Sequence, residues 1–219
     1  MALSTPASSR TSRLLHTLRK PAAFFASNWA ALVSVATIVG AVPGLAGVVR
    51  VVNDLDRYED EPFMTPLRQL RATWRRDVPV SLLLVVVLVL GALNTYAVTQ
   101  VQVGLRVAVV GFLVPVVWAV GMFVAAYVAA ASAQPLDATR HDVLGLAAVL
   151  MKRRPVRSLL TPLLLVALAP VVLLPPLTVA VGLSLPAWFM GEWFGVAMWR
   201  RQLDPDPDAA PAPTGGPRR

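Results

Sequence analysis

Four long apolar runs follow one another from residue 79 onward, each long enough to cross a bilayer as a helix. They cover residues 79–98, 107–131, 156–174 and 177–199. About 20 residues at 1.5 Å per residue span the hydrocarbon core. Only 15% of the residues are charged, against about 25% in a soluble domain. With a further run at 24–42, the sequence predicts an all-α, polytopic membrane bundle of five spans.

The run at 24–42 and the short helix after it raise a question of topology. Two basic residues precede the run, as in a signal peptide, but it is long for such a segment and ends without a clear cleavage site. We therefore expect a retained helix that breaks at Pro43 and Gly44, because proline lacks an amide donor and glycine favours a turn. The apolar segment at 45–55 is then either a half-helix or the second leg of a hairpin, a sixth span.

Residues 65–77 have the pattern of an interfacial amphipathic helix. Thr65 and Pro66 suit its N-cap and first position. Its apolar face is formed by Phe63, Leu67, Leu70 and Trp74, and its basic face by Arg68, Arg71 and Arg75. An apolar stripe with tryptophan beside arginines is typical of a helix lying on anionic headgroups. A solvated loop helix is the alternative.

The distribution of basic residues predicts the orientation of the bundle. Lysine and arginine concentrate in 50–76, in 132–157 and in the C-terminal tail, which the positive-inside rule places in the cytoplasm. A single crossing by 24–49 leaves fifteen basic residues inside and five outside, whereas a hairpin leaves nineteen inside and one outside. The charge rule favours the hairpin and the short second leg opposes it. We expect a flexible basic tail at 1–23 and a disordered tail at 202–219.

Four polar residues near or within the apolar runs form a candidate polar membrane site: Glu192, Arg50, Asn28 and Asn94. A carboxylate in a membrane is costly and faces a partner or a water-filled cavity. Glu192 is therefore either a proton or solute contact or a structural ion pair, with Arg50 as one candidate partner. The asparagines are suited to hydrogen bonding between helices.

The sequence offers no support for catalysis or for a cofactor. It has no cysteine, and His16 and His141 lie apart from clustered acids, so no metal site is predicted. No phosphate-binding glycine loop or catalytic triad is present. The net charge of +8 is explained by the positive-inside rule, so we expect no nucleic-acid binding. Because no catalytic motif is found, we also expect no enzyme.

Residues Asn28 to Asp77 resemble the YesL family of bacterial membrane proteins, a family of unknown function. The resemblance rests on Asn-Trp before an apolar run, on Val-Pro-Gly-Leu-Ala, and on the acidic linker that leads into Trp-Arg-Arg-Asp. It implies an inner-membrane accessory or regulatory protein associated with carbohydrate uptake, with a sugar-transporter complex or a second copy as partner. It supplies no catalytic residues. The alternative is a small secondary transporter with a polar pathway near Glu192 and Arg50.

Overall fold

The computed structural model describes residues 7–58, 60–100 and 103–203. Within these ranges the chain forms ten α-helices and no strand, which confirms the all-α class. The helices are α1 (Ala7–Ala36), α2 (Ala41–Val52), α3 (Leu55–Tyr58), α4 (Met64–Thr99), α5 (Val103–Ala133), α6 (Arg140–Arg153), α7 (Pro155–Leu173), α8 (Pro175–Val181), α9 (Ser184–Phe194) and α10 (Val196–Leu203).

Three helical segments are long and apolar enough to cross a membrane: Met64–Tyr96, Arg106–Ala133 and Pro155–Leu173. They contain most of the predicted spans at 79–98, 107–131 and 156–174. The helices α8 and α9 add a fourth span if they are counted together. The prediction of five spans is therefore not confirmed. Large apolar side chains on α4, α5 and α7 are exposed, as expected of surfaces that face lipid.

The first predicted span is the first leg of a helical hairpin. Helix α1 ends at Ala36 and α2 begins at Ala41. The sequence predicted the break at Pro43 and Gly44, and the observed break lies a few residues earlier. Pro43 lies in the first turn of α2, where a missing amide donor costs nothing. The tip contains Ile38 with φ of 60°, a left-handed conformation that is strained for a β-branched residue.

At the open end of this hairpin, ion pairs join α1 to α3 and to the segment after it. Lys20 Nζ lies 2.8 Å from Asp56 Oδ1, and Arg19 Nη1 lies 3.9 Å from Asp60 Oδ1. The segment at 1–23, predicted to be a flexible tail, is helical from Ala7. In the predicted tail at 202–219, the residues from 204 onward lie outside the described residues.

Helix α2 is the centre of the bundle, and ten of its twelve residues are buried. Its glycines allow close packing on both sides. A Cβ on Gly44 would lie 2.2 Å from the Cβ of Ser34 in α1, and one on Gly47 would lie 2.5 Å from the Cα of Pro66 in α4. Small residues thus let the helix backbones approach, as in other membrane helix pairs. The amide of Val42 donates to Ser81 Oγ at 3.2 Å.

The predicted interfacial helix at 65–77 is continuous with the span that follows it, because α4 runs through Pro79 without a break. A second polar stripe of this segment, which the sequence analysis did not single out, faces the bundle, and Trp74 is exposed. Of the predicted faces, Phe63, Leu67 and Leu70 are half-buried, and Arg68, Arg71 and Arg75 are exposed. The buried stripe of α4 contains Thr65, Gln69, Thr73, Arg76, Asp77, Val80 and Ser81.

The last predicted span, 177–199, is divided into three helices. Helices α8 and α9 meet at an angle of 58°. Pro186 lies in the first turn of α9, where its ring clashes with the carbonyl four residues earlier and so prevents one continuous helix. Gly195, with φ of 69°, ends α9 in the left-handed conformation that favours glycine.

The hairpin of α1 and α2 predicts that both ends of the described chain lie on one side of the membrane. The chain has no cysteine, so single cysteines can be introduced at the exposed positions Leu18, Gln100 and Arg201. We expect an impermeant maleimide to label Leu18→Cys and Arg201→Cys from the same side, and Gln100→Cys from the opposite side. Labelling of Leu18→Cys and Gln100→Cys from the same side would contradict the hairpin.

Candidate functional site

The C-terminal end of α5 is surrounded by polar side chains from three other helices. The last carbonyls of a helix have no intrahelical partner. Here Arg50 Nη2 donates to the carbonyls of Ala131 and Gln134, and Gln69 Nε2 donates to Ala131 at 3.3 Å. Arg200 donates to the carbonyl of Ser132 through Nε at 3.3 Å and Nη2 at 3.0 Å. We call these three side chains, Arg50, Gln69 and Arg200, the α5 cap.

Arg200 is the more deeply buried of the two arginines in the α5 cap, at 2% exposed. Its Nη1 also donates to the carbonyl of Arg50 at 2.9 Å and lies 3.8 Å from Asp54 Oδ2. Burial, and next the charge of Arg50, lowers its pKa to about 10. The guanidinium therefore stays charged at pH 7, where it complements the negative end of the α5 dipole. Arg200 thus joins α10 to α2 and α5.

A second buried polar group lies on α4 next to this cap. Asp77 is fully buried and accepts hydrogen bonds from Arg76 Nε at 2.7 Å, Arg76 Nη2 at 3.1 Å and the hydroxyl of Tyr127 at 2.8 Å. Arg76 also donates to the carbonyl of Ala138, and Arg140 donates to the carbonyls of Arg75 and Arg76. The two arginines tie the loop after α5 and the start of α6 to α4.

Sequence reasoning identified neither this carboxylate nor the α5 cap beyond Arg50. Asp77 was assigned to the end of an interfacial helix, and Arg200 to the basic flank of a span. Two features of the sequence could have indicated the buried carboxylate. One is the Arg-Asp pair immediately before an apolar run, and the other is the single tyrosine in the Ala-rich end of the span at 107–131. A charged side chain beside an apolar run is buried only if a helix end or a tyrosine from elsewhere in the chain contacts it. Sequence spacing does not predict such contacts.

Asn28 bridges the break between α8 and α9, a role of the kind the sequence suggested. Its Nδ2 donates to the carbonyls of Thr178 and Val179, each at 2.9 Å. Its Oδ1 accepts from the amides of Leu183 at 2.8 Å and Ser184 at 3.3 Å. The side chain thus supplies both the donors that the end of α8 lacks and the acceptor that the start of α9 lacks.

The structure does not bring the four predicted polar residues together. Glu192 is exposed on α9, and its side chain makes no hydrogen bond or ion pair with any described residue. Arg50 belongs to the α5 cap and Asn28 to the break. Asn94 lies half-buried on α4, with no hydrogen bond to the described residues.

The exposed end of α9 is held by two other basic residues. Arg154 and Arg157 donate to the carbonyl of Trp193 at 2.9 and 3.1 Å, and the indole of Trp193 donates to the carbonyl of Arg157 at 2.9 Å. Basic residues at this helix end are favourable because they complement the negative end of the helix dipole, as at α5. Among the described residues, no group of three or more His, Cys, Asp or Glu side chains is placed to hold a metal ion.

An apolar pocket of about 380 Å³ lies between α2, α4, α5, α7 and α9. Its lining contains only apolar residues, among them Leu45, Leu84, Val128, Leu165 and Met190. Such a surface offers no hydrogen bond to a solute and suits hydrocarbon.

Replacement of Asn28 tests the bridge between α8 and α9. We expect Asn28→Leu to lower the free energy of unfolding by at least about 2 kcal/mol, because the carbonyl of Val179 and the amides of Leu183 and Ser184 lose their partner. Asn94→Leu is the matched control, and its effect should stay within about 0.5 kcal/mol. Both are measured by unfolding of the purified protein in lipid nanodiscs. Equal effects would show that the hydrogen bonds of Asn28 do not stabilise the bundle.

Replacement of Arg200 tests the α5 cap. Arg200→Met should lower the free energy of unfolding by about 2–4 kcal/mol, because buried carbonyls lose a charged donor. The neighbouring, exposed Arg201 is the control, and Arg201→Met should change it by no more than about 0.5 kcal/mol. Intact unfolding free energy in Arg200→Met would contradict the role assigned to the cap. The same unfolding assay applies.

Comparison with known proteins does not assign the chain to a family. The similarity of Asn28 to Asp77 to the YesL family therefore stays a prediction from the sequence. Evidence for function has to come from the residues described above. No family model, curated protein or solved structure matches this chain.

Proposed function

We propose that this chain is a multi-pass inner-membrane protein that serves as a non-catalytic accessory or regulatory component of carbohydrate uptake. One observation carries the choice of an accessory role over transport. The polar residues expected to line a pathway do not meet at a common cavity, because Asn28 and Arg50 are occupied by helix ends and Glu192 lies on the surface. The link to carbohydrate rests on the resemblance of Asn28 to Asp77 alone.

The proposed orientation places the α5 cap and the C-terminus in the cytoplasm. The arginines of α4, α6 and α10 gather at this end, as the positive-inside rule requires of a cytoplasmic surface. The ion pairs of Lys20 and Arg19 place the described N-terminal residues at the same end. Exposed arginines such as Arg71 and Arg75 would then contact anionic headgroups, and the apolar faces of α4, α5 and α7 would contact lipid, a sugar-transporter complex or a second copy.

A secondary transporter is the alternative, and the bent pair α8 and α9 favours it. Discontinuous helices in transporters leave free helix ends that bind substrate or ions. In this chain, however, the helix ends at the break are already hydrogen-bonded to the side-chain amide of Asn28, through both its oxygen and its nitrogen. A solute would have to displace four hydrogen bonds to occupy the break, which opposes a transport role.

Reconstitution separates the two proposals. We expect liposomes containing the purified protein to take up glucose and maltose no faster than protein-free liposomes, with or without a pH gradient. In bacteria from which the chain has been deleted, carbohydrate uptake should slow, and both the wild type and Glu192→Gln should restore it. Gradient-driven uptake by the liposomes that is lost in Glu192→Gln would overturn the accessory role and establish transport.

A further inference from the structure

A polar pocket of about 360 Å³ lies beside the α5 cap, between α2, α3, the start of α4 and the loop after α5. Its volume is at the lower end of the range for ligand pockets, about 300–1,000 Å³. It is lined by Arg50, Arg57, Tyr58, Asp60, Glu61, Thr65, Arg68, Gln69 and Leu136. None of the roles described above uses this space.

The buried lining of the pocket includes an acceptor that has no donor. Gln69 is fully buried, and its Nε2 is fixed by the carbonyl of Ala131 at 3.3 Å. Its Oε1 has no hydrogen-bond partner in the described part of the chain. A buried acceptor without a donor is unfavourable and needs an explanation. Because Gln69 lines the pocket, a ligand that donates a hydrogen bond there supplies one.

The rim of the pocket carries charges of both signs. Arg68 Nη2 lies 2.5 Å from Glu61 Oε2, and Asp60 is within 3.9 Å of Arg19. Arg57, Arg68, Asp60 and Glu61 are all exposed, so donors and acceptors alternate around the opening. The lining holds three arginines, Arg50, Arg57 and Arg68, and two carboxylates, so a ligand of either charge meets groups of its own sign. The rim therefore disfavours a ligand with a strong net charge.

We propose that this pocket binds a small, neutral, polyhydroxyl compound, a sugar or polyol of about one ring. A hydroxyl group both donates and accepts hydrogen bonds. It can therefore donate to Gln69 Oε1 and at the same time accept from an arginine or donate to a carboxylate of the rim. A ligand with several hydroxyls satisfies such a mixed lining without adding charge. The size of the pocket admits a small molecule only.

Occupation of the pocket is coupled to the α5 cap, because Gln69 and Arg50 belong to both. A ligand that fixes Gln69 also favours the arrangement in which this side chain holds the end of α5. A regulatory role for the ligand rests on the proposed accessory function. Binding of the ligand rests only on the pocket. A ligand that binds the folded protein raises its unfolding temperature.

The test measures ligand binding to the purified full chain in nanodiscs by calorimetry and by thermal unfolding. The neutral probes are glucose, myo-inositol and glycerol, and the charged probes are sodium phosphate, an anion, and choline chloride, which supplies a cation. Leu136→Trp fills the pocket without removing a hydrogen bond, and Gln69→Met removes the orphaned acceptor. Their controls are Leu144→Trp, whose leucine is equally exposed on α6, and Gln100→Met at the end of α4.

We expect at least one neutral probe to bind the wild type and to raise its unfolding temperature in a saturable manner. Binding should weaken by about tenfold or more in Leu136→Trp and Gln69→Met and stay unchanged in both controls, since a lost hydrogen bond is worth roughly a factor of ten. The unfolding temperature of each variant without ligand shows whether the fold tolerates the substitution.

Two outcomes would overturn the proposal. The first is binding of phosphate or choline with no response to any neutral probe, which would identify a site for charged ligands. The second is neutral-probe binding that is equally strong in Leu136→Trp, which would place the ligand elsewhere. Neither outcome depends on liposome uptake, so failure of this inference is distinguishable from failure of the accessory role.

Discussion

The bundle depends on how the C-terminal end of α5 is satisfied. A helix that leaves the membrane exposes its last carbonyls and the negative end of its dipole. In this chain Arg50, Gln69 and Arg200 close that end from α2, α4 and α10. One helix terminus therefore fixes the positions of three other elements. The buried cations are tolerated because they donate to carbonyls that would otherwise lack a partner.

The same principle explains why a short helix can form the centre of a membrane protein. Helix α2 has twelve residues, about 18 Å at 1.5 Å per residue, which is too short to cross the hydrocarbon core alone. It is instead buried within the bundle, and Ser81 accepts from the amide of Val42 in its first turn. Glycines at positions 44 and 47 then bring α1 and α4 into backbone contact with it. Arg50, near its end, joins it to α5.

Sequence periodicity predicted the helices whose stability comes from lipid and missed the breaks that depend on tertiary contacts. Composition suffices for 79–98, 107–131 and 156–174, because an apolar run in lipid must satisfy its own backbone as a helix. Pro186 prevents a continuous helix at 182–183, but the backbone groups freed there are bound by Asn28, about 150 residues away in the chain. The buried polar stripe of α4 was not predicted, because a polar stripe fits equally well against headgroups and against other polar helices. Only the positions of Asp77 and Tyr127 in space decide between them.

Whether a polar residue in a membrane bundle has a function depends on how many of its hydrogen bonds the fold already uses. The carbonyl and amide of Asn28 are bound to four backbone groups, and Asp77 accepts three hydrogen bonds, so neither has a donor or acceptor left to give up without cost. Gln69 differs, because only half of its amide is used. The residue lines a pocket and its oxygen has no partner among the described residues, whereas its nitrogen holds the end of α5. Because the same side chain contacts both the pocket and the end of α5, ligand binding in the pocket alters the packing of that helix. This coupling needs no movement of charge through the membrane.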